Sequence, residues 1–188
     1  INSNGKAQFL TIQIKRGEGV NNINTTEFFN DIWQIKMLKT IQANYAKAPF
    51  YKENIPFIEE LMLFKATDLA DFNMNFIVKI CERLNINTEL RLSSEFNIQE
   101  ASTLRLIKLI QSVQGNVYLS GKGGDNYQDH DMYENENIEL IYNDLPNFEY
   151  PQVKTDTFVN GLSIIDSVFN INFAGIETFF NKNNLNGI

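Results

Sequence analysis

The segment Tyr118-Leu119-Ser120-Gly121-Lys122-Gly123-Gly124-Asp125 gathers the residue types that hold anions. An apolar, β-rich run ends there in a glycine-rich turn. Glycines let backbone N–H groups converge on a negative charge, and Lys122 adds a cation. A phosphate or sugar-phosphate is the natural guest at the carboxyl end of a strand in an open α/β sheet. The turn is neither a P-loop nor a Gly-x-Gly-x-x-Gly fingerprint, so no cofactor is indicated by motif. A plain turn needing positive φ accounts for the same glycines, and the residues leave both readings open.

A second cationic spot, Lys15-Arg16-Gly17, ends the alternating run Gln8 to Lys15. Arg grips phosphate or carboxylate in bidentate fashion, although two cations at a strand end are also what a solvated rim contains. Ser93 and Ser94 follow the short run Thr88 to Leu92 and either meet a ligand or cap the next turn. With Ser120, Tyr127 and Asp125 they form a candidate hydrogen-bonding set for a sugar or amino-acyl group. Asp125 and Asp166 are the carboxylates placed to act as acid or base. In Gly161-Leu162-Ser163-Ile164-Ile165-Asp166, however, Ser163 and Asp166 stand at capping-box spacing, which favours a helix start over a catalytic Ser. His130 is the only His and lies in an acidic stretch that no Ser or Cys spacing addresses. Cys81, the only Cys, sits between Ile80 and Glu82 and reads as a small core hydrophobe. One His and one Cys exclude a protein-only zinc centre and an internal disulfide. A nucleotide ligand would bring its own Mg²⁺.

These residues need a scaffold, and the periodicities supply one. Helices are predicted over Asp31 to Ala48, with Ile32, Ile35, Leu38, Ile41 and Tyr45 inward, over Glu53 to Phe64, and from a Thr67 or Asp68 cap to Leu84. Further helices are predicted over Gln99 to Gln114, Ser163 to Phe169 and Gly175 to Asn181. In the first of these, Leu104, Ile107, Leu109 and Ile110 are expected to face inward. Strands are predicted at Gln8 to Lys15, Thr88 to Leu92, Asn116 to Ser120 and Ile138 to Tyr142. Asp125 to Asn137 reads as a surface excursion, and Asn2 to Gly5 as a tight turn. Strands alternating with helices imply an α/β fold: an open, mostly parallel sheet flanked by helices, a Rossmann-like three-layer arrangement.

The chain has 188 residues, 43% hydrophobic and 21% charged, which fits one globular domain spanning 1–188. A net charge of −7 argues against a nucleic-acid partner. No apolar run is long enough to span a membrane. Sparse Cys fits a reducing, cytoplasmic setting.

Six ordered blocks resemble the WbqC-like protein family. They are Gly5 to Ile12 with Lys15; Trp33 with Tyr45 to Tyr51; Leu69 to Asn73; Leu84 to Ile86 with Ser93-Ser94; Tyr118 to Tyr127; and Phe148 to Gln152 with Phe158 and Gly161 to Asp166. The family's opening strand and its Gln-Pro-type turn have no counterpart after Ile1, so the first strand is expected to be missing from this chain. A His usual in the helix after Trp33 is Met37 here, and a Gly usual near Asn170 to Phe173 is not evident. The resemblance implies a bacterial protein whose relatives are encoded among O-antigen and other surface-polysaccharide genes. Joined to the anion-binding candidates, it implies an enzyme, in the transferase class, acting on a nucleotide-activated sugar or similar phosphate-bearing donor. On that view Lys15, Arg16, Gly121, Lys122, Gly123 and Gly124 hold phosphate. The competing expectation is a non-catalytic binding or assembly module of the same pathway, or a degenerate relative.

Overall fold

Helix α1 (Ile32–Tyr45) turns Trp33, Leu38, Ile41 and Tyr45 into the interior, and three further helices close over them. A computed structural model of the chain describes residues 1–2, 4–15, 22–143, 146 and 148–183. Contacts divide it into two compact units, Ile1–Asn87 with Phe148–Ile188, and Thr88–Asn147.

The first unit is helical. Besides α1 it contains α2 (Tyr51–Met62), α3 (Leu69–Arg83) and a long C-terminal helix, Ile164–Lys182. Ile58, Leu61 and Met62 from α2, Phe72 and Ile80 from α3, and Val168, Phe169, Phe173 and Ile176 from the C-terminal helix form one buried cluster with the α1 stripe. The inward face of α1 is turned from the expected one: Ile32 and Ile35 are exposed and Trp33 is buried. Trp33 packs between Phe28, tilted at 35°, and Phe72, edge-on at 84°, with ring centroids 5.1 and 5.0 Å away, and the larger ring outcompetes the two isoleucines for the core. Asp68, rather than Thr67, caps α3: its carboxylate accepts from the Asp71 N–H at 2.9 Å. Helix α2 starts at Tyr51, which places Pro56 beyond the first turn.

The run Gln8 to Lys15 does not form a strand. A single antiparallel bridge joins Ile14 to Phe28, and Phe9 is 98% exposed. Alternation alone makes no strand without a partner for its N–H and C=O groups. The turn before it does form. Gly5 N–H donates to the Asn2 carbonyl at 3.1 Å, and Gly5 has φ +72°.

The second unit holds the sheet. Strands β1 (Val117–Gly121) and β2 (Glu139–Asn143) pair in parallel, Leu119 opposite Ile141. Helix α4 (Ser102–Ser112) and a short helix α5 (His130–Asn135) pack on one face through Ile107, Ile110 and Tyr133. Leu104, expected inward, is instead partly exposed. Helix α5 replaces the expected surface excursion; Asp129 caps it, accepting from the Met132 N–H at 3.3 Å. Thr88 to Leu92 forms no strand, and a 3-10 turn, Ser93–Phe96, follows it. The fold is therefore helix-rich α/β with a small open parallel sheet.

The C-terminal helix, here α6, is one element where two were expected, and Asn172 explains both descriptions. Asn172 adopts φ 63°, ψ 170° inside it, breaking the helical backbone. Its carboxamide oxygen accepts from Phe173 N–H at 2.7 Å and from Asn54 Nδ2 at 3.1 Å, recapping the second half.

Candidate functional site

Asp166 occupies the first turn of α6, where Ser163 caps the helix by accepting from Ile165 N–H. The carboxylate does not complete a capping box. It is buried, 1% exposed, and accepts three hydrogen bonds: Tyr45 Oη at 2.7 Å, Tyr150 Oη at 2.9 Å and Gln152 Nε2 at 3.0 Å. A buried carboxylate persists only when so satisfied. Gln152 in turn clamps a loop, its Oε1 accepting from Val159 N–H at 2.7 Å and its Nε2 donating to Val159 O at 3.0 Å. The Ile1 backbone nitrogen lies 2.7 Å from Tyr45 Oη. Burial first, then the adjacent Asp166 charge, pushes the Tyr45 and Tyr150 phenols well above the usual tyrosine range.

Asp166 stands behind two cavity walls. Tyr45 lines a chamber of about 410 Å³. Its other walls come from Phe9 and Leu10, from Met37 and Ile41 of α1, from Met62, Phe72 and Phe76, and from Gly161 to Ser163. Among the described residues no charged side chain lines it. Next to it, sharing Phe9, Leu10 and Met37, is a smaller cavity of about 190 Å³ with Thr11, Gln13, Trp33, Lys36 and Thr40. Tyr150 and Gln152 line an open polar cleft of about 450 Å³ with Glu149, Thr155, Asp156 and Thr157. The arrangement suits an apolar ligand fixed by a few polar groups, the usual make-up of a small-molecule site. Met37, at the position where the resemblance leads one to expect a His, faces both the chamber and the smaller cavity.

The residues singled out from sequence fall in both units. Lys15 belongs to the first, is exposed, and pairs with Glu27 at 2.6 Å, holding that carboxyl below its usual range. Arg16 lies outside the described residues. In the second unit, Ser93 and Ser94 are exposed on the 3-10 turn. Gly121 ends β1, and Lys122–Tyr127 continue as a 3-10 turn with Lys122 and Tyr127 exposed. The side chain of Asp125 lies outside the described atoms. Ser120 is buried; its Oγ accepts from Gln128 Nε2 at 2.9 Å. A Cβ on Gly124 would meet both of those groups at under 3 Å, so a side chain there would have to displace the Gln128–Ser120 hydrogen bond, whereas Gly123 faces open space. Among the described residues no group of His, Cys, Asp and Glu is placed to hold a metal ion, and no helix is long and apolar enough to cross a membrane.

Sequence reasoning named Asp166 but missed Tyr45, Tyr150 and Gln152 as its partners. The signal was present: all three fall inside blocks that carry the family resemblance, as do Phe9, Leu10, Phe72 and Leu162 of the chamber.

The fold and this enclosed carboxylate define a helix-rich α/β protein with a ligand-sized chamber. By sequence, the chain belongs to the WbqC-like protein family, whose model matches residues 1–178. It is also similar to an uncharacterized protein of Mycobacterium tuberculosis, Rv1507c, at 24% identity over 166 residues, covering 87% of this chain and 72% of that protein. No solved structure matches.

Proposed function

We propose that the protein is a cytoplasmic group-transfer enzyme of O-antigen or other surface-polysaccharide biosynthesis, acting on a nucleotide-activated sugar or related phosphate-bearing donor. One observation carries the reading. The segments that bear the family resemblance in the first unit converge on a chamber of about 410 Å³ with the Tyr45–Asp166 hydrogen bond in its wall. The Gly121–Gly124 turn with Lys122 is the proposed phosphate-binding element, and Asp166 acts by fixing Tyr45, Tyr150 and Gln152. A single family model over residues 1–178, running through both units, supports the reading of 1–188 as one functional domain. We further read β1 and β2 as part of a doubly wound sheet of the Rossmann kind. Val117, Leu119 and Ile141 leave one face of the pair apolar and partly exposed, and parallel strands are ordinarily covered on both faces.

Thermal shift against a panel of nucleotide sugars at millimolar concentration tests the reading. A ligand at a hundred times its Kd adds about 2.7 kcal/mol, or about 5–11 °C for a chain of this size. No shift with any donor removes the proposal. Lys122→Ala with Gly123→Ala should weaken the best donor, and unchanged affinity would take the turn out of the site.

A second reading, a non-catalytic binding or assembly module, draws on the same carboxylate. Its three hydrogen bonds leave little capacity to take a substrate proton, and Met37 supplies no base. Co-purification with a glycosyltransferase, without turnover by the pair, would favour it.

A further inference from the structure

The chamber and its smaller neighbour have opposite character, and together they select one kind of ligand. Among the described residues the chamber offers mostly aliphatic and aromatic walls, with Gln8, Asn44, Tyr45 and Ser163 as its polar groups and no charged side chain. A pyrophosphate seated there would lose its hydration without gaining a cation, at a cost of several kcal/mol per charge. The neighbouring cavity brings the Lys36 ammonium and the hydroxyls of Thr11 and Thr40. Lys36 makes no ion pair among the described residues. Phe9, Leu10 and Met37 wall both spaces, which sets the two side by side.

We propose that this site takes a medium-chain aliphatic acyl group, its tail in the chamber and its carboxylate or thioester carbonyl toward Lys36. The proposal rests on the chamber being the functional site and names the class of group recognised there. It separates that group from the phosphate-bearing part of any donor, which the chamber walls do not accommodate. Free fatty acids and acyl-coenzyme A thioesters share this chemistry.

The test is calorimetric titration of the full chain with sodium butanoate, hexanoate and octanoate, and with octanoyl-coenzyme A. Each methylene buried in the chamber should raise affinity about fourfold. Trp33, the only Trp, should change its emission on octanoate binding, because its ring rests on the chamber residue Phe72 at 5.0 Å. Met37→Trp, which fills the shared wall, should abolish octanoate binding. Lys36→Glu, on the exposed side of α1, should weaken it about threefold without disturbing the fold. Tighter binding of the thioester than of the acid, or the reverse, identifies the source, and either supports the assignment. An affinity that does not change with chain length overturns it, as does octanoate binding indifferent to Lys36→Glu. Nucleotide-sugar binding is scored separately: a failed octanoate series beside a bound nucleotide sugar sinks only the acyl assignment.

Discussion

Removing one hydroxyl tests whether Asp166 is a buried charge held by its neighbours. In Tyr45→Phe the ring stays, with its packing against Phe169 at 5.2 Å between centroids, and the hydroxyl's two hydrogen bonds are lost: the 2.7 Å one it donates to Asp166 Oδ1 and the 2.7 Å one it accepts from the Ile1 nitrogen. Tyr150 and Gln152 both address the other oxygen, Oδ2, so neither replaces it without moving. A hydrogen bond to a charged group contributes about 1.5–3 kcal/mol, and the Ile1 nitrogen, 3.9 Å from Oδ1, is too distant to replace it without moving. For a chain of this size that is a Tm lowered by about 3–12 °C. Urea unfolding followed by circular dichroism, with an unchanged slope against denaturant, checks it. A second arm sharpens it: Tyr45→Phe with Tyr150→Phe should cost measurably more or less than the sum, because both hydroxyls serve one carboxylate. A Tyr45→Phe variant within about 0.5 kcal/mol of the parent, below the range for any charged partner, would refute the reasoning.

Asp166→Asn replaces an acceptor with a group that also donates, against two hydroxyls and an amide already donating, and should cost about 2–4 kcal/mol by chemical denaturation. Burial raises Tyr45 and Tyr150 and pushes Tyr133 up to about 12, with the Tyr118 and Tyr142 phenols adding to the last. Above pH 10 the unfolded chain therefore ionises these phenols while the folded chain does not. Their stabilisation is complete below pH 10 and falls by up to about 1.4 kcal/mol per pH unit per phenol above it; unfolding curves from pH 9 to 11.5 should show the slope, and Tyr150→Phe should shed one phenol's share. At Asn172, φ 63° and ψ 170° lie close to a region only glycine enters freely. Asn172→Ala should destabilise by about 2–4 kcal/mol through strain and the lost cap. Asn172→Gly should be milder by about 1–2 kcal/mol, the reverse of the usual helix ranking. Gly5→Ala should cost about 1–3 kcal/mol, since its φ is +72° and the new methyl would press on the Lys154 carbonyl; thermal unfolding reads it.

Helices with long apolar periods were legible because their period, caps and stops agree. Leu38, Ile41 and Tyr45 were placed inward from spacing alone. The face was misjudged at its start because spacing cannot weigh a Trp that finds two aromatic neighbours against two isoleucines that find none. Strands β1 and β2 were legible because each pairs with the other. The runs at Gln8 and Thr88 carried the same pattern, but strand formation depends on a partner that a local window does not contain. Asp166 was visible as chemistry and Ser163 as a cap. What spacing could not supply was the meeting of Tyr45 and Asp166 across 121 positions of chain. That meeting depends on tertiary packing, and the family blocks were its only trace in the sequence.

The order of the chain also sets a timetable. The second unit is inserted between two parts of the first, so during synthesis α1, α2 and α3 leave the ribosome well before α6. Until then Ile58, Leu61 and Tyr45 have no Val168 or Phe169 to pack against, while Thr88–Asn147 already holds everything its own small core requires. Nascent chains of this protein thus carry a sticky, half-finished helical layer for dozens of codons, a window in which holdase chaperones would find their substrate.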